Sequence, residues 1–249
     1  MPAHSREWLE PDGLGGFASG TVDGIRTRRY HALLLSAAPG TTASFARYAL
    51  VNGVEARLEL ASGERIAITR QRYAPDVVAP PEASLPISFT RVPWPRWVHH
   101  IGDGGGAAEL AVEIVGVHGA PVVAVTWRAT TRTDGSPLQG ARLVVRPLLS
   151  GRDLHSTHHV NDAFRFDADG GGGLWMWHPY DAVPRIVALT NGSYRHDPVW
   201  YRDFQYDEER ARGLDYLEDL ASPGEFTFDL GAGEAMLLVA AASPAADEL

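Results

Sequence analysis

The fold is indicated most clearly by the stretch EFTFDLGAGEAMLLVAAA, residues 225–242. Apolar and polar side chains alternate from Phe226 to Leu230, which is the period of a β-strand with one buried face. The tetrapeptide GAGE, residues 231–234, has the small residues of a turn, and residues 235–242 have the composition of a buried strand. The stretch therefore predicts a β-hairpin.

The same rhythm extends outward along the chain. Short segments rich in Val, Ile, Leu and aromatic residues are separated by Gly, Pro, Asp and Asn. The segments of strand length are 30–35, 54–60, 65–70, 87–92, 110–117, 122–129, 141–147 and 186–189. A helical pattern is best developed over 207–220, where Gly213 interrupts it. We therefore predict an all-β protein, a large antiparallel β-sandwich with at most one or two short helices.

Chain length, composition and net charge indicate a globular protein that does not bind nucleic acid. The chain has 249 residues, of which 45% are hydrophobic and 21% charged, a composition typical of globular proteins. We expect one domain over residues 1–243, with residues 244–249 as a tail or severed linker. The formal net charge of -9 gives a surface that repels phosphate backbones, so no nucleic-acid partner is expected.

The cysteine count and the hydropathy pattern point to a cellular compartment. The sequence has 0 cysteines, which excludes disulfides, thiolate metal sites and cysteine nucleophiles. No apolar signal core begins the chain, and no stretch approaches the roughly 18 apolar residues of a membrane span. We expect a cytoplasmic protein without a membrane partner.

Two motifs suggest cofactors but lack the context that either would need. Residues 13–18, GLGGFA, fit the dinucleotide pattern, yet no buried strand precedes them and no amphipathic helix follows. A tight glycine turn is the favoured interpretation. The histidines of 155–159, HSTHH, show no helical spacing that would place two ligands on one face. We predict neither a cofactor nor a bound metal.

Aromatic and acidic residues concentrate in the C-terminal third. The segments 175–180 and 194–204 place Trp and Tyr beside Asp, Arg and His, which suits sugar recognition and equally suits the anchoring of loops. Between 203 and 219 lie seven carboxylic acids, and glycoside chemistry requires two that flank the scissile bond. A solvated acidic face explains the same run, so no catalytic residue is identified.

Three segments together resemble the N-terminal domain of the bacterial and archaeal type of glycogen debranching enzyme, the amylo-α-1,6-glucosidase family. They are EWLEPDGLGGFASGTV with TRRYHALL (7–22 and 27–34), RPLLSGRDLH (146–155), and WYRDF through ERARGLD to EDL (200–220), closed by SPGEF at 222–226. The family pattern usually has Gly after the Tyr-His pair, where this chain has Ala32.

The resemblance implies a supersandwich like the one that precedes glucoamylase-like catalytic domains. In such proteins a helical-barrel domain carries the α-1,6-glucosidase activity, and the N-terminal domain is associated with glucanotransferase. We expect no such barrel within this chain, and therefore a partner barrel in cis or in trans. The segments that carry the resemblance supply the expected α-glucan-binding residues: Arg28, Arg29, Tyr30, His31, Arg152, Asp153, His155, Trp200, Tyr201, Arg202 and Asp203.

The leading hypothesis is a domain that recognises α-glucan, as glycogen or maltooligosaccharide, and supports the catalytic domain in glycogen breakdown. One alternative is a self-sufficient 4-α-glucanotransferase, which requires two close carboxyls, one with a raised pKa. The other alternative is a structural module that only docks a separate catalytic chain. A large exposed apolar patch would favour docking.

Overall fold

A computed structural model describes residues 6–37, 46–102 and 107–242. These residues form two large antiparallel sheets and one short helix. The elements are β1 (Glu7–Pro11), β2 (Phe17–Thr21), β3 (Leu34–Ala37), β4 (Arg47–Glu59), β5 (Arg65–Ala67), β6 (Gln71–Tyr73), β7 (Val77–Ala79), β8 (Pro86–Thr90), β9 (Arg96–Ile101), β10 (Ala108–Gly116), β11 (Val122–Thr131), β12 (Arg142–Asp153), β13 (Ala168–Gly171), β14 (Leu174–Trp177), β15 (Arg185–Thr190), β16 (Ser193–Gln205), α1 (Asp207–Ala211), β17 (Leu217–Asp229) and β18 (Ala235–Ala242).

The two sheets form an all-β sandwich, as the sequence predicted. The ten-stranded sheet has the order β1-β2-β3-β4-β12-β17-β16-β6-β7, with β5 paired to β4. The eight-stranded sheet has the order β13-β14-β15-β18-β11-β10-β9-β8. The long strands at the centre of the first sheet, β4, β12 and β17, come from distant parts of the sequence.

The core lies between the two sheets and is built from the alternate side chains that face inward. Phe226 and Phe228 of β17 meet Trp127 of β11 and Trp177 of β14, and all four are buried. The ring centroids of Trp127 and Phe228 are 6.1 Å apart. Each fully buried large apolar side chain contributes roughly 1.5 to 3 kcal/mol relative to its exposed state.

The predicted hairpin over residues 225–242 is wrong, although its two strands are correct. Strand β17 pairs with β12 and β16, whereas β18 pairs with β11 and β15 in the other sheet. Residues 231–234 therefore carry the chain across the sandwich. Leu230 and Leu237 then face the same core from opposite sides. Alternation predicts a buried face equally well for a hairpin and for such a crossing.

The predicted helical segment is helical only over its first five residues. Helix α1 covers only Asp207–Ala211, the chain turns at Gly213 with a φ of 68°, and β17 begins at Leu217. The leucines at 217 and 220 are thus strand residues. No helix among the described residues has the length and apolar character needed to cross a membrane.

The glycine motif of residues 13–18 forms the turn between β1 and β2, as expected. Gly13 and Gly15 have φ angles of 78° and 99°, a region that glycine adopts without a Cβ penalty. The buried Asp12 carboxylate accepts the N–H groups of Leu14 at 2.7 Å and Gly16 at 2.9 Å. The turn is therefore stabilised by hydrogen bonds from its backbone N–H groups to the carboxylate of the residue that precedes it.

The outer face of the eight-stranded sheet carries apolar side chains in cross-strand rows. One row runs from Leu174 through Leu189 and Leu238 to Ala124, across four neighbouring strands. A parallel row contains Met176, Val187, Ala240 and Val122. Leu174 and Leu189 are 51% and 47% exposed. We call these two rows the apolar face.

Candidate functional site

A buried carboxylate on the opposite side of the sandwich organises the candidate site. Glu218 of β17 is fully buried and forms an ion pair with Arg152 of β12, which is also buried. The Tyr206 hydroxyl donates to Glu218 as well. Two further donors are Asn52 Nδ2 at 3.3 Å and the backbone N–H of His158 at 3.0 Å. Donors thus surround both oxygens of the carboxylate.

The position of this ion pair follows from the strand alternation. Leu148 of β12 and Leu220 of β17 point away from the inter-sheet core and pack with Phe204 and Tyr206. We call these four residues the outer cluster. Chain segments around residues 26–31 and 154–158 cover the pair, because Arg152 donates to the carbonyl of Arg29 and His158 donates to Glu218. Because the pair is buried at low dielectric, removing only one of its two charges is strongly destabilising.

Arg152 connects the first two segments that carry the resemblance. Its guanidinium donates to the carbonyl oxygens of Arg29 and, at 3.1 Å, of Asp153. The Tyr30 hydroxyl consequently lies 3.3 Å from Nδ1 of His155, and the two rings meet edge to face at 5.8 Å. Residues 125 positions apart in the sequence therefore form one surface, which we call the Tyr30–His155 site.

Hydrogen bonds at the Tyr30 hydroxyl join the two segments. Arg29 Nη2 donates to the Tyr30 oxygen at 3.3 Å, and the same oxygen lies 3.3 Å from Nδ1 of His155. The tautomer of His155 decides which of these two atoms donates, since a hydroxyl oxygen can accept two hydrogen bonds. The Asp153 carboxylate accepts the His155 backbone N–H at 2.8 Å and fixes the turn. The site thus offers an aromatic ring beside an exposed imidazole.

A second group of charges borders the site. Arg28 Nε donates to Glu7 at 2.6 Å, and Arg28 Nη2 lies 3.6 Å from Glu208 of α1. His31 is buried; its Nδ1 accepts the Thr27 N–H at 3.2 Å, so Nε2 donates to Glu7 at 3.3 Å. Burial lowers the pKa of His31 to about 4, against the raising effect of Glu7. His31 is therefore neutral at pH 7 and positions Glu7.

The electrostatic balance at Glu7 favours its ionised form. Partial burial raises its pKa, but the hydrogen bonds from Arg28 and His31 and the positive charge of Arg28 lower it by more, so the net pKa lies below the usual value. A carboxyl with a lowered pKa is a poor general acid at neutral pH. Glu7 is better suited to accept hydrogen bonds from hydroxyl groups.

The histidines of 155–159 point in different directions. His158 is buried and its Nδ1 donates to the Asp219 carbonyl at 2.9 Å, so its Nε2 accepts the Tyr180 hydroxyl at 2.6 Å. Burial also lowers the pKa of His158. Across the described residues, no group of three His, Asp or Glu side chains is placed to hold a metal ion.

The third segment is a strand, β16, and its aromatic residues diverge. Trp200 faces the core side and packs on Phe164 at 5.2 Å and His158 at 5.5 Å, whereas Tyr201 packs into the outer cluster on Phe204 at 6.4 Å. Arg202 and Asp203 are exposed at a β-bulge, where Asp203 has a φ of 62° and donates its N–H to Asp219 at 2.9 Å. Trp200 and Tyr201 therefore lie on opposite faces of the sheet.

The structure thus brings together only part of the predicted set. The first two segments, 28–31 and 152–155, meet directly, and the third joins them through Glu208 and Glu218. Sequence reasoning missed Glu7, Asn52 and Tyr206 as members of the site. No local signal distinguishes Glu218, because it is one of three acidic residues in the segment 217–228.

One comparison with known proteins identifies a family. A family model described as the N-terminal part of glycogen debranching enzyme matches residues 6–237. No curated protein matches the chain. The matched residues include the loops that carry the Tyr30–His155 site and the strands that carry Arg152 and Glu218.

We predict that Glu218→Gln lowers the free energy of unfolding by about 3 to 5 kcal/mol, since it leaves Arg152 buried without a counter-charge. Arg152→Met should have a similar effect, and the double variant Arg152→Met/Glu218→Leu should lose much less than the sum. Urea unfolding followed by tryptophan fluorescence measures all three. Arg142→Met, which removes a surface pair with Glu59, is the matched control and should cost at most about 1 kcal/mol. Additive losses at Arg152 and Glu218 would contradict a coupled pair.

The stability should also depend on pH through His31. The folded-state pKa of about 4 lies below the unfolded value of about 6.5, so the unfolded chain binds the proton more readily between these values. The free energy of unfolding should therefore fall by up to about 3 kcal/mol from this residue as pH drops from 6.5 to 4. His31→Gln should flatten the pH profile over this window. The variant His196→Gln, at an exposed histidine, is the control, and equal slopes in both variants would argue against the assignment.

Proposed function

Because this chain belongs to the family of glycogen debranching enzyme N-terminal domains, we propose that it recognises α-glucan at the Tyr30–His155 site and supports a catalytic domain through its apolar face. The observation that carries the recognition role is the convergence of residues 28–31 and 152–155 on one surface. A buried ion pair, Arg152 with Glu218, holds that surface in place.

The chemistry of the Tyr30–His155 site suits a sugar ring. The half-buried Tyr30 ring offers a flat apolar surface for the C–H face of a glucose unit. The exposed His155 imidazole can form a hydrogen bond with a hydroxyl, and the Glu7 and Asp153 carboxylates can accept from hydroxyls. Arg28, held between Glu7 and Glu208, adds fixed donors at the border. His31 and Arg152 act by positioning these groups, because both are buried.

A self-sufficient glucanotransferase is the weaker proposal. Glu7 and Glu208 approach the same guanidinium, that of Arg28, and are the carboxyl pair that these contacts bring together. However, the lowered pKa of Glu7 is the reverse of what a general acid needs. Binding without bond cleavage is therefore the role we favour for the isolated chain.

Support of a catalytic domain is favoured by the apolar face. Its rows place leucine, methionine, valine and alanine side chains next to one another across four strands, at positions where a solvated sheet face would be polar. Large exposed apolar surfaces mark protein interaction sites. The occupant we propose is the helical-barrel domain that the resemblance associates with this family.

We predict that the protein binds a single-length maltooligosaccharide and that His155→Ala weakens the affinity about tenfold, or about 1.4 kcal/mol, through loss of the imidazole hydrogen bond. Tyr30→Ala should weaken it at least as much because the stacking surface is lost. Calorimetry measures the affinity, and separation of the incubated sugars by length detects transfer. His100→Ala, which removes an exposed histidine on the eight-stranded sheet, is the matched control.

Three outcomes separate the proposals. Binding that His155→Ala weakens and His100→Ala does not supports recognition at this site. New longer and shorter chains would establish transfer and move attention to Glu7 and Glu208. No binding by a folded protein would overturn glucan recognition by the isolated chain.

The docking role predicts that Leu189→Glu weakens association with a separately produced helical-barrel domain at least tenfold, because a charge would be buried in an apolar contact. Val77→Glu is the matched control: Val77 is 50% exposed, close to the 47% of Leu189, but lies on the ten-stranded sheet. Sedimentation of the mixed domains measures the association. Equal losses in the two variants would count against the apolar face as the contact.

A further inference from the structure

A cavity of about 150 Å³ lies where the edge of strand β4 loses its neighbour. Strand β4 pairs with β3 as far as Val51 and with β5 only from Arg57 onward. Residues 52–54 lie in the interval between these neighbours and line the cavity. Residues of β9, β10 and β11 form its far wall, so the cavity extends into the space between the two sheets. It is distinct from the Tyr30–His155 site, whose residues do not line it.

The wall of the cavity is mainly apolar and aromatic. Trp8, Trp97 and Trp127 line it together with aliphatic side chains of β10 and β11. The rings of Trp8 and Trp97 meet edge to face at 5.4 Å, and their indole N–H groups donate to the carbonyls of Thr21 and Val22 at 3.2 and 2.9 Å. These two rings therefore present hydrocarbon surface to the cavity. An engineered apolar cavity of roughly this volume takes up benzene, so the size fits a single aromatic ring.

A buried histidine places a hydrogen-bond acceptor on this wall. His99 of β9 lines the cavity, on the same face of the strand as Trp97, and is only 5% exposed. Its Nδ1 lies 3.0 Å from the carbonyl oxygen of Ser84 and 3.5 Å from the Ser84 hydroxyl. A carbonyl oxygen only accepts, so Nδ1 carries a proton. Burial lowers the pKa of His99 to about 4, so the ring is neutral at pH 7 and Nε2 keeps a free lone pair.

The Nε2 atom of His99 is an acceptor that the protein does not use. Among the residues that the structure describes, no donor bonds to this nitrogen, yet it remains accessible to a molecule of the size of water. Because His99 is otherwise buried, we take this accessible nitrogen to face the cavity that the ring lines. By contrast, Asn52 on the same wall donates to Glu218 and accepts from Ser150. A buried acceptor without a donor is unfavourable, and a ligand could supply the donor.

The arginines of the lining do not offer a free charge to the cavity. The guanidinium carbon of Arg26 lies 4.7 Å from the ring centre of Phe204 and 5.8 Å from that of Tyr206, and neither ring lines the cavity. Its Nη1 and Nη2 are closed to a molecule of the size of water. Arg70 lies 3.8 Å from the Asp23 carboxylate. The lining therefore favours an uncharged ligand, since an ion would lose its hydration in an apolar space.

We propose that this cavity binds a compact uncharged aromatic molecule that carries one O–H or N–H group, with its ring against the tryptophans and its hydrogen donated to Nε2 of His99. A ring without such a group would leave Nε2 unpaired, so the cavity should discriminate between the two kinds of ligand. The proposal does not depend on glucan binding, since it concerns different residues and a different ligand.

Phenol is the probe, compared with toluene, which has a methyl group in place of the hydroxyl. Toluene leaves water more readily than phenol, so an apolar cavity without an acceptor would prefer toluene. Calorimetry on the whole chain at pH 7 should instead show phenol binding at least as tightly as toluene. His99→Leu removes the acceptor, and should weaken phenol binding at least tenfold while toluene binding is retained.

A second variant locates the binding site. Val112→Phe keeps His99 and fills the cavity, and should abolish the binding of both ligands while the protein stays folded. Val115→Phe is the matched control, because it adds the same bulk to the same strand at a residue that does not line the cavity. It should leave both affinities unchanged.

Each outcome decides the proposal. Phenol binding that is at least as tight as that of toluene, and that Val112→Phe but not Val115→Phe removes, supports it even if His99→Leu fails to fold. Tighter binding of toluene would overturn it in favour of a purely apolar cavity, as would equal losses of both ligands in folded His99→Leu. Absence of phenol binding to the folded wild type, or binding unaffected by Val112→Phe, would also overturn it.

Discussion

The ion pair between Arg152 and Glu218 is the interaction on which the rest of the site depends. Two charges removed from water are tolerated because Asn52, Tyr206 and the backbone N–H of His158 donate to the carboxylate, while backbone carbonyls accept from the guanidinium. The same guanidinium holds the carbonyl of Arg29, and the same carboxylate holds the N–H of His158. The surface loops that carry Tyr30 and His155 thus owe their position to a charge pair that solvent does not reach.

The two outer faces of the sandwich differ in chemistry. On the ten-stranded sheet, connecting segments cover buried polar side chains. Charged and aromatic groups of these segments are exposed around them. On the eight-stranded sheet, apolar side chains remain uncovered by other described residues. This asymmetry fits a domain with two interactions, one with a polar ligand and one with a folded partner.

The fold class could be predicted from sequence because strand alternation is a local property, visible in Phe226 to Leu230. Whether β17 and β18 share a sheet could not, since a hairpin and a crossing between sheets bury the same alternate residues. The site was predictable only in part. Tyr30, Arg152 and His155 came from the resemblance, but the contact of Arg152 with Glu218 spans 66 positions and leaves no local pattern. Trp200 and Tyr201 point to opposite faces because they are successive residues of a strand. The polar composition of β16 gave no alternation from which this strand could be predicted.

Strand β12 lies between β4 and β17 in the ten-stranded sheet, so that Leu143 is paired with Leu58 on one side and Phe228 on the other. Both partners are about 85 residues away along the chain. Closing two such loops costs conformational entropy before the contacts at the centre of the sheet can form. Folding is therefore expected to be slow compared with that of proteins rich in local contacts. During synthesis, moreover, β12 is made long before β17, so the edge of β12 that pairs with β17 has no hydrogen-bonding partner until β17 is made. The residues that hold the site together are therefore among the last to become protected from aggregation.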